Sequence, residues 1–156
     1  MPLYKVDKLM DETRRLAAEY RRSTGQTLPV SGELAKNDAI RLLKLSVPEQ
    51  PISGIDAVLE SEQGVTKFQV KGRVIFDDSK QGQRVGQLAF DTDWDAILLV
   101  LMNGEYETTE IYSLDRATAE NELQNSDGSK RSKRGAMSVA KFKIIAELVW
   151  SKSENS

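Results

Sequence analysis

Asp56, Gln69 and Lys71 are the residues whose types and spacing are best suited to chemistry. They lie in the stretch GIDAVLESEQGVTKFQVK, from Gly54 to Lys71, which reads as two strands around a Gly-containing turn. Side chains alternate along a strand, so Gln69 and Lys71 share one face while Phe68 and Val70 take the other. A four-residue turn over Ser61–Gly64 pairs Glu60 with Val65, which sets Asp56 opposite Gln69 and Gly54 opposite Lys71. Directly opposed Cβ atoms lie about 4.5–5.5 Å apart, so three polar side chains converge on one patch. Asp56 and the Gln69 carbonyl are hard oxygen ligands of the kind Mg²⁺ takes. Lys71 is a nearby point charge, able to orient or help deprotonate an attacking water. Gly72 lets another backbone approach closely, and Arg73 can hold a flanking phosphate. The same types also fit plainer roles: Gln69 and Lys71 on the solvent face of an edge strand, where lysine blocks aggregation, and Asp56 as the end of a turn.

The chemistry available elsewhere in the chain is narrow. There is no histidine, which removes every Ser–His or Cys–His triad and the commonest general base near neutral pH. There is no cysteine either, so disulfides, thiolate chemistry and an ordinary tetrahedral zinc site are excluded. The absence of cysteine fits a reducing cytoplasm, and the N-terminus MPLYKVDKLMDETRR has no apolar core of a secretory signal. The longest apolar run, Ala96 to Met102, is too short to cross a bilayer, so no membrane role is expected. What remains is carboxylate, lysine, hydroxyl and oxygen-ligated cation chemistry.

The elements that must position these residues can be read from periodicity. At 156 residues, 39% apolar and 29% charged, the chain has the size and composition of one soluble domain, expected over 1–150 with a disordered tail at 151–156. Tyr4 to Arg22 spaces its apolar residues as an amphipathic helix, with Gly25 as the C-terminal cap. Ser31 can cap a second helix running to about Leu45, and Pro48–Pro51 then forces a loop. The strands Ile55–Glu60 and Val65–Phe76 follow. Residues 77–90 form a loop or ragged strand, and Asp95–Met102 an apolar strand buried on both faces. Asn103-Gly104 signals a tight hairpin into Glu105–Leu114. Arg116–Leu123 reads as a short helix behind an Asp115 cap, 125–135 as a basic loop, and Met137–Trp150 as a final helix. That order predicts an α/β fold (mixed α+β) with a central mixed β-sheet flanked by helices.

Gly54-Ile55-Asp56-Ala57 followed by Gln69-Val70-Lys71-Gly72-Arg73 resembles the PD-(D/E)XK restriction-endonuclease-like superfamily, in its Mrr-like branch with Gln at the second acidic position. The resemblance covers roughly residues 31–114 and departs from the pattern at Ile55, where proline is usual. It implies a restriction-endonuclease-like fold and a nuclease dependent on Mg²⁺ or Mn²⁺, in DNA restriction, repair or defence. It also implies a helical glutamate beside the hairpin. Ser31-Gly32-Glu33-Leu34 is the best match, so Glu33 joins Asp56 and Gln69 as metal ligand, with Glu12 and Glu19 as fallbacks. An acid in a helix's first turn is also favoured by the macrodipole alone.

A net charge of −2 argues against indiscriminate coating of nucleic acid, but basic residues are unevenly spread. Lys130, Arg131, Lys133, Arg134, Lys141 and Lys143 occur between Gly128 and Ala146 without an intervening acid. With Arg73 and Arg84 they form the candidate phosphate-contacting set, positioning DNA, rather than RNA, without reading its sequence. The plainer reading is a solvated charge run. The acidic stretch Asp91-Thr92-Asp93-Trp94-Asp95 lacks EF-hand spacing and reads as a loop with a strand cap, and Trp94 and Trp150 as core or interface residues. With no separate recognition domain, the chain is expected to act as a homodimer, to cut with little sequence preference, or to depend on a partner protein for targeting. Two other functions fit the same residues: a catalytically inactive module on this scaffold that binds nucleic acid or protein, and a hydrolase of other phosphoesters.

Overall fold

Strand pairing organises the chain around AILLVLM, whose seven side chains are all buried. The computed structural model describes residues 3–76, 83–125 and 136–155. In chain order these are α1 (Leu3–Thr24), α2 (Ser31–Leu43), β1 (Ala57–Ser61), β2 (Gly64–Val74), β3 (Arg84–Gln87), β4 (Ala96–Met102), β5 (Thr108–Asp115), α3 (Arg116–Asn125), β6 (Ala136–Ser138), α4 (Val139–Ile145), β7 (Glu147–Ser151) and α5 (Lys152–Asn155). The main sheet has the order β1-β2-β4-β5-β7, and β3 and β6 form a separate antiparallel pair. β2 and β4 run parallel and the other main-sheet pairs antiparallel. The fold is therefore a mixed α/β sheet with helices, as the element order predicted. Among the described residues no helix is long and apolar enough to cross a membrane.

Continuous apolarity in β4 follows from its position, because both faces of the sheet are covered. On one face Leu34, Ala35 and Ala39 of α2 and Ala17 and Ala18 of α1 pack against Phe68, Val70, Leu98 and Val100. On the other, Val85, Trp94, Ala119, Met137 and Phe142 cover Ile97, Leu99 and Leu101. The small residues of α2 let it lie close to β2. A Cβ added at Gly72 would stand 2.6 Å from the Ala35 Cβ and 2.9 Å from the Ser31 carbonyl oxygen, so only glycine fits under the helix.

Several boundaries differ from the sequence reading, each for a local reason. Ser31 is the first residue of α2 rather than its cap; Val30 holds the cap position with no side-chain hydrogen bond. Asn103-Gly104 does not make a two-residue hairpin. The Asn103 side-chain carbonyl accepts the Glu105 and Glu107 amides at 2.9 and 3.1 Å, which widens the turn to Asn103–Glu107. The positive φ in that turn falls on Tyr106, at 63°. Met137–Trp150 is not one helix. Residues 136–138 pair with β3, and Ser138 caps α4 by accepting the Lys141 amide at 3.0 Å. Ala146 is extended, and Glu-Leu-Val-Trp-Ser joins the open edge of β5 as β7. A strand edge offering a full ladder outweighs helical spacing in so short a run. Ser151, the first residue of the tail expected at 151–156, closes β7, where it is buried, and residues 152–155 form α5. Gly25 and Asp115 cap α1 and α3 as expected.

Asp38 is fully buried, and its carboxylate ties three elements together. Arg14 of α1 donates to both oxygens at 3.0 and 2.8 Å, and the Thr108 hydroxyl of β5 donates at 2.6 Å. Arg14 also donates to the carbonyl of Tyr106 at 2.7 Å. Removing one partner of a buried pair leaves an uncompensated charge, which costs about 3–5 kcal/mol. Asp38→Ala is therefore expected to lower the unfolding free energy by that amount in urea denaturation. A loss under about 1 kcal/mol, typical of a surface pair, would show that water replaces the carboxylate.

Candidate active site

The first hairpin has the register the sequence suggested. Glu60 pairs with Val65 and Ala57 with Phe68, which carries Asp56 to the level of Gln69. The ladder between β1 and β2 stops at Ala57, and Asp56 extends it with both backbone and side chain. Its amide donates to the Phe68 carbonyl at 2.8 Å, and its Oδ2 accepts the Val70 amide at 2.8 Å. The carboxylate thus stands where the next residue of a paired strand would be. Gly54, at φ 80°, turns the chain into this position. A side chain at Gly54 would also overlap Thr92, so the motif's glycine is required twice over.

Gln69 and Lys71 project to the sheet face opposite α2, because Phe68, Val70 and Val74 pack into the core beneath that helix. The Gln69 amide donates to the Gly54 carbonyl at 3.4 Å, a long bond that turns its Oε1 the other way. That oxygen is buried with no donor among the described residues, as is Thr92 Oγ1 beside Gly54. A buried acceptor without a partner is what a bound cation or an ordered water satisfies. Lys71 is half-buried and makes no hydrogen bond or ion pair among the described residues. Its pKa is lowered, first by desolvation and then by the Arg73 charge, while Asp56 pulls it back upward.

Glu33 reaches the hairpin from the other side, and not by direct contact. Its carboxylate is 69% exposed and meets Lys36 Nζ at 3.3 Å, and the same ammonium lies 3.8 Å from Asp56 Oδ1. Glu33, Lys36 and Asp56 line one groove of about 390 Å³, walled by Ile52, Ile55 and Asn37. Gln69 and Lys71 do not line it. Asp56 is therefore the pivot, with one oxygen fixed on β2 and the other turned toward the groove. Lys36 was missed by sequence reasoning. Its spacing three residues after Glu33, on one helical face, was the available signal. Among the described residues no three Asp, Glu, His or Cys side chains converge as a metal-binding group. The free Asp56 oxygen thus faces a groove that Gln69 does not line, and Glu33 is separated from Asp56 by Lys36.

The described candidate phosphate-contacting residues are scattered. Arg73 donates to the carbonyls of Gly72, Arg84 and Val85 at 2.6, 2.7 and 2.5 Å, so its guanidinium ties β2 to β3. Burial lowers its pKa. The Arg84 side chain is exposed on β3. Lys141 pairs with Glu122 at 2.5 Å and Lys143 lies 3.7 Å from Glu110. Acids distant in sequence therefore pair with Lys141 and Lys143, the two described lysines of the basic stretch that the linear order suggested. Lys130, Arg131, Lys133 and Arg134 lie outside the described residues. The acidic stretch behaves as a loop with a strand cap: Asp95 accepts the Lys67 amide, Asp93 pairs with the Lys67 ammonium, and Trp94 is fully buried.

No protein-family model matches the chain, and no curated protein is significantly similar to it.

Lys71 yields a prediction that separates function from stability. A lysine whose folded pKa lies below its unfolded value destabilises the fold wherever it is protonated in both states, and the penalty fades as pH rises toward the ordinary 10.5. Lys71→Met is expected to raise the urea midpoint at pH 6, with the gain shrinking steadily as pH approaches 10.5. A destabilised variant at pH 6 would mean that the ammonium is well solvated or paired, contrary to its burial.

Proposed function

We propose that this chain is a metal-dependent phosphodiesterase of nuclease type, a PD-(D/E)XK-like enzyme acting on DNA more readily than RNA. The observation that carries the reading is the bond from the Val70 amide to Asp56 Oδ2. It holds a carboxylate beside the strand that presents Gln69 and Lys71 while leaving the second oxygen toward an open groove. Mg²⁺ or Mn²⁺ held by Asp56 and the Gln69 carbonyl, with Glu33 joining them once Lys36 has moved aside, would neutralise phosphate charge and make the attacking water more acidic. Lys71 acts on that water. Desolvation raises the share of neutral amine able to take a proton, and the protonated form offsets charge building on the phosphate. Val70 positions Asp56 through its backbone, and the Gly54 carbonyl orients the Gln69 amide. Of the candidate phosphate-contacting set, Arg84 is the described residue left to meet the polymer. We place the enzyme in the cytoplasm, on the absence of cysteine, with a second copy or a partner protein supplying the targeting.

One observation favours a second reading. No cluster of three metal-binding side chains occurs among the described residues, and Lys36 stands between the two carboxylates of the groove. A binding module on the same scaffold, without catalysis, accounts for both.

The test is conversion of supercoiled plasmid to nicked and linear DNA with Mg²⁺ or Mn²⁺, by the native protein, Lys71→Ala and Asp56→Asn. Native cleavage is expected, with each variant slower by about 10²–10³-fold, as for loss of one electrostatic group in a preorganised site. Asp56→Asn keeps an acceptor for the Val70 amide, so its loss of activity would not reflect a broken hairpin. Turnover of bis(p-nitrophenyl) phosphate without cutting of polymer would mean a hydrolase of smaller phosphoesters. No cutting of any substrate by folded protein would leave the binding module.

A further inference from the structure

The two edges of the main sheet differ. The outer side of β1 is closed, because Ser46 exchanges two backbone hydrogen bonds with Val58, at 2.9 and 2.8 Å, and Pro48 and Pro51 follow. β7 ends the sheet at the other side, and among the described residues nothing pairs with its outer edge. α5 does not cover it. Lys152 lies 3.4 Å from Glu107, just ahead of β5, and Lys152 and Ser153 line a hollow with Thr109 and Glu110 of β5. The helix therefore turns back toward the neighbouring strand. The side chains at the open edge are apolar: Leu148 and Val149 are 41% and 37% exposed, and Ile144, at the end of α4, 78%. Unpaired amides and carbonyls beside exposed apolar side chains form a template for another strand.

We infer that β7 pairs antiparallel with β7 of a second copy of this chain, joining the two main sheets across a twofold axis. Charge selects this occupant and its direction. The strand begins with Glu147, whose carboxylate has no partner among the described residues, and Lys152 follows its last residue. Antiparallel pairing sets the acid of each copy near the base of the other, whereas parallel pairing sets like charges together. Such a contact is self-complementary and closes after two copies. The closed edge at β1 leaves no second open strand for growth into a filament. The register of β7 on β5 shifts between Ile111 and Tyr112, with Val149 the extra residue, so the strand bends and the pairing stays short. A short strand contact with few apolar side chains falls below the area of a stable dimer, so association is weak and follows concentration. The contact lies apart from the chemistry proposed at Asp56, and neither depends on the other.

The test is sedimentation velocity of the full chain from about 5 to 500 µM, a range suited to a small interface. Native protein is compared with Val149→Lys, Glu147→Lys and Leu16→Lys, each checked for native folding by circular dichroism. The native chain is expected to shift from monomer toward dimer across the range. Val149→Lys puts a charge on the edge and is expected to stay monomeric, while Leu16→Lys, on an exposed face of α1, is expected to behave as native. Glu147→Lys turns two attractive pairs into repulsive ones and is expected to weaken the dimer about 5- to 10-fold at low salt, less at high salt. A native chain that stays monomeric throughout, or a dimer that survives Val149→Lys, would overturn the interface. Loss of the dimer in Leu16→Lys would overturn it in favour of α1. Dimerisation unchanged by Glu147→Lys would overturn the antiparallel alignment.

Discussion

The buried carboxylate of Asp38 is the constraint on which the helical layer depends. A charge without solvent must have its oxygens filled by donors, and here they come from α1 and β5, with Arg41 of the same helix at 3.3 Å. Arg14 in turn reaches the carbonyl of Tyr106, a bulky residue at positive φ in the turn before β5. Satisfying one carboxylate therefore fixes how α1 lies on α2, how α2 lies on the sheet, and how the β4–β5 turn closes. An apolar contact would tolerate sliding; a fork of hydrogen bonds onto one carboxylate does not.

From that fixed helix the site follows by short steps. Gly72 allows α2 to touch β2 at the distance of a Cβ contact, which brings Lys36 within reach of Asp56. Asp56 is held independently, because it completes the hairpin ladder where β1 ends. Two rigid attachments, one on each side, leave the groove between them little freedom. Asp56 has a structural use beside the chemical one proposed for it, which is why an isosteric amide is a cleaner replacement there than alanine.

The register of the first hairpin was legible from the sequence because alternation and turn length leave few options for Gly54–Lys71. The burial of β4 was legible for a similar reason, since a continuous apolar run needs cover on both faces. The end of the chain was not. Leu148, Val149 and Trp150 keep helical spacing with Phe142 and Ile145, and only the open edge of β5 decides that they form a strand. Asp38 was hidden because a lone acid on a helix looks like a solvated one until Arg14 and Thr108, 24 and 70 residues away, are placed against it. The same non-locality hid the acids that pair with Lys141 and Lys143. Charge runs are linear features; surface potential is not.

The arrangement around Asp56 also bears on Gln69, which the proposed nuclease reading sets at its second acidic position. A second carboxylate at position 69 would be buried where Gln69 Oε1 now has no donor, and burial of a second unpaired negative charge there is costly. The amide supplies an oxygen at no charge, and its nitrogen is used by the Gly54 carbonyl. Lys71, half-buried on the same face, faces one carboxylate rather than two, so its ammonium is less stabilised and more easily deprotonated. The exchange of Glu for Gln therefore has opposite effects on the two functions of such a site: it weakens attraction for a cation and strengthens the lysine as a proton acceptor. In the proposed enzyme, a site of this composition would hold metal loosely and depend more on Lys71.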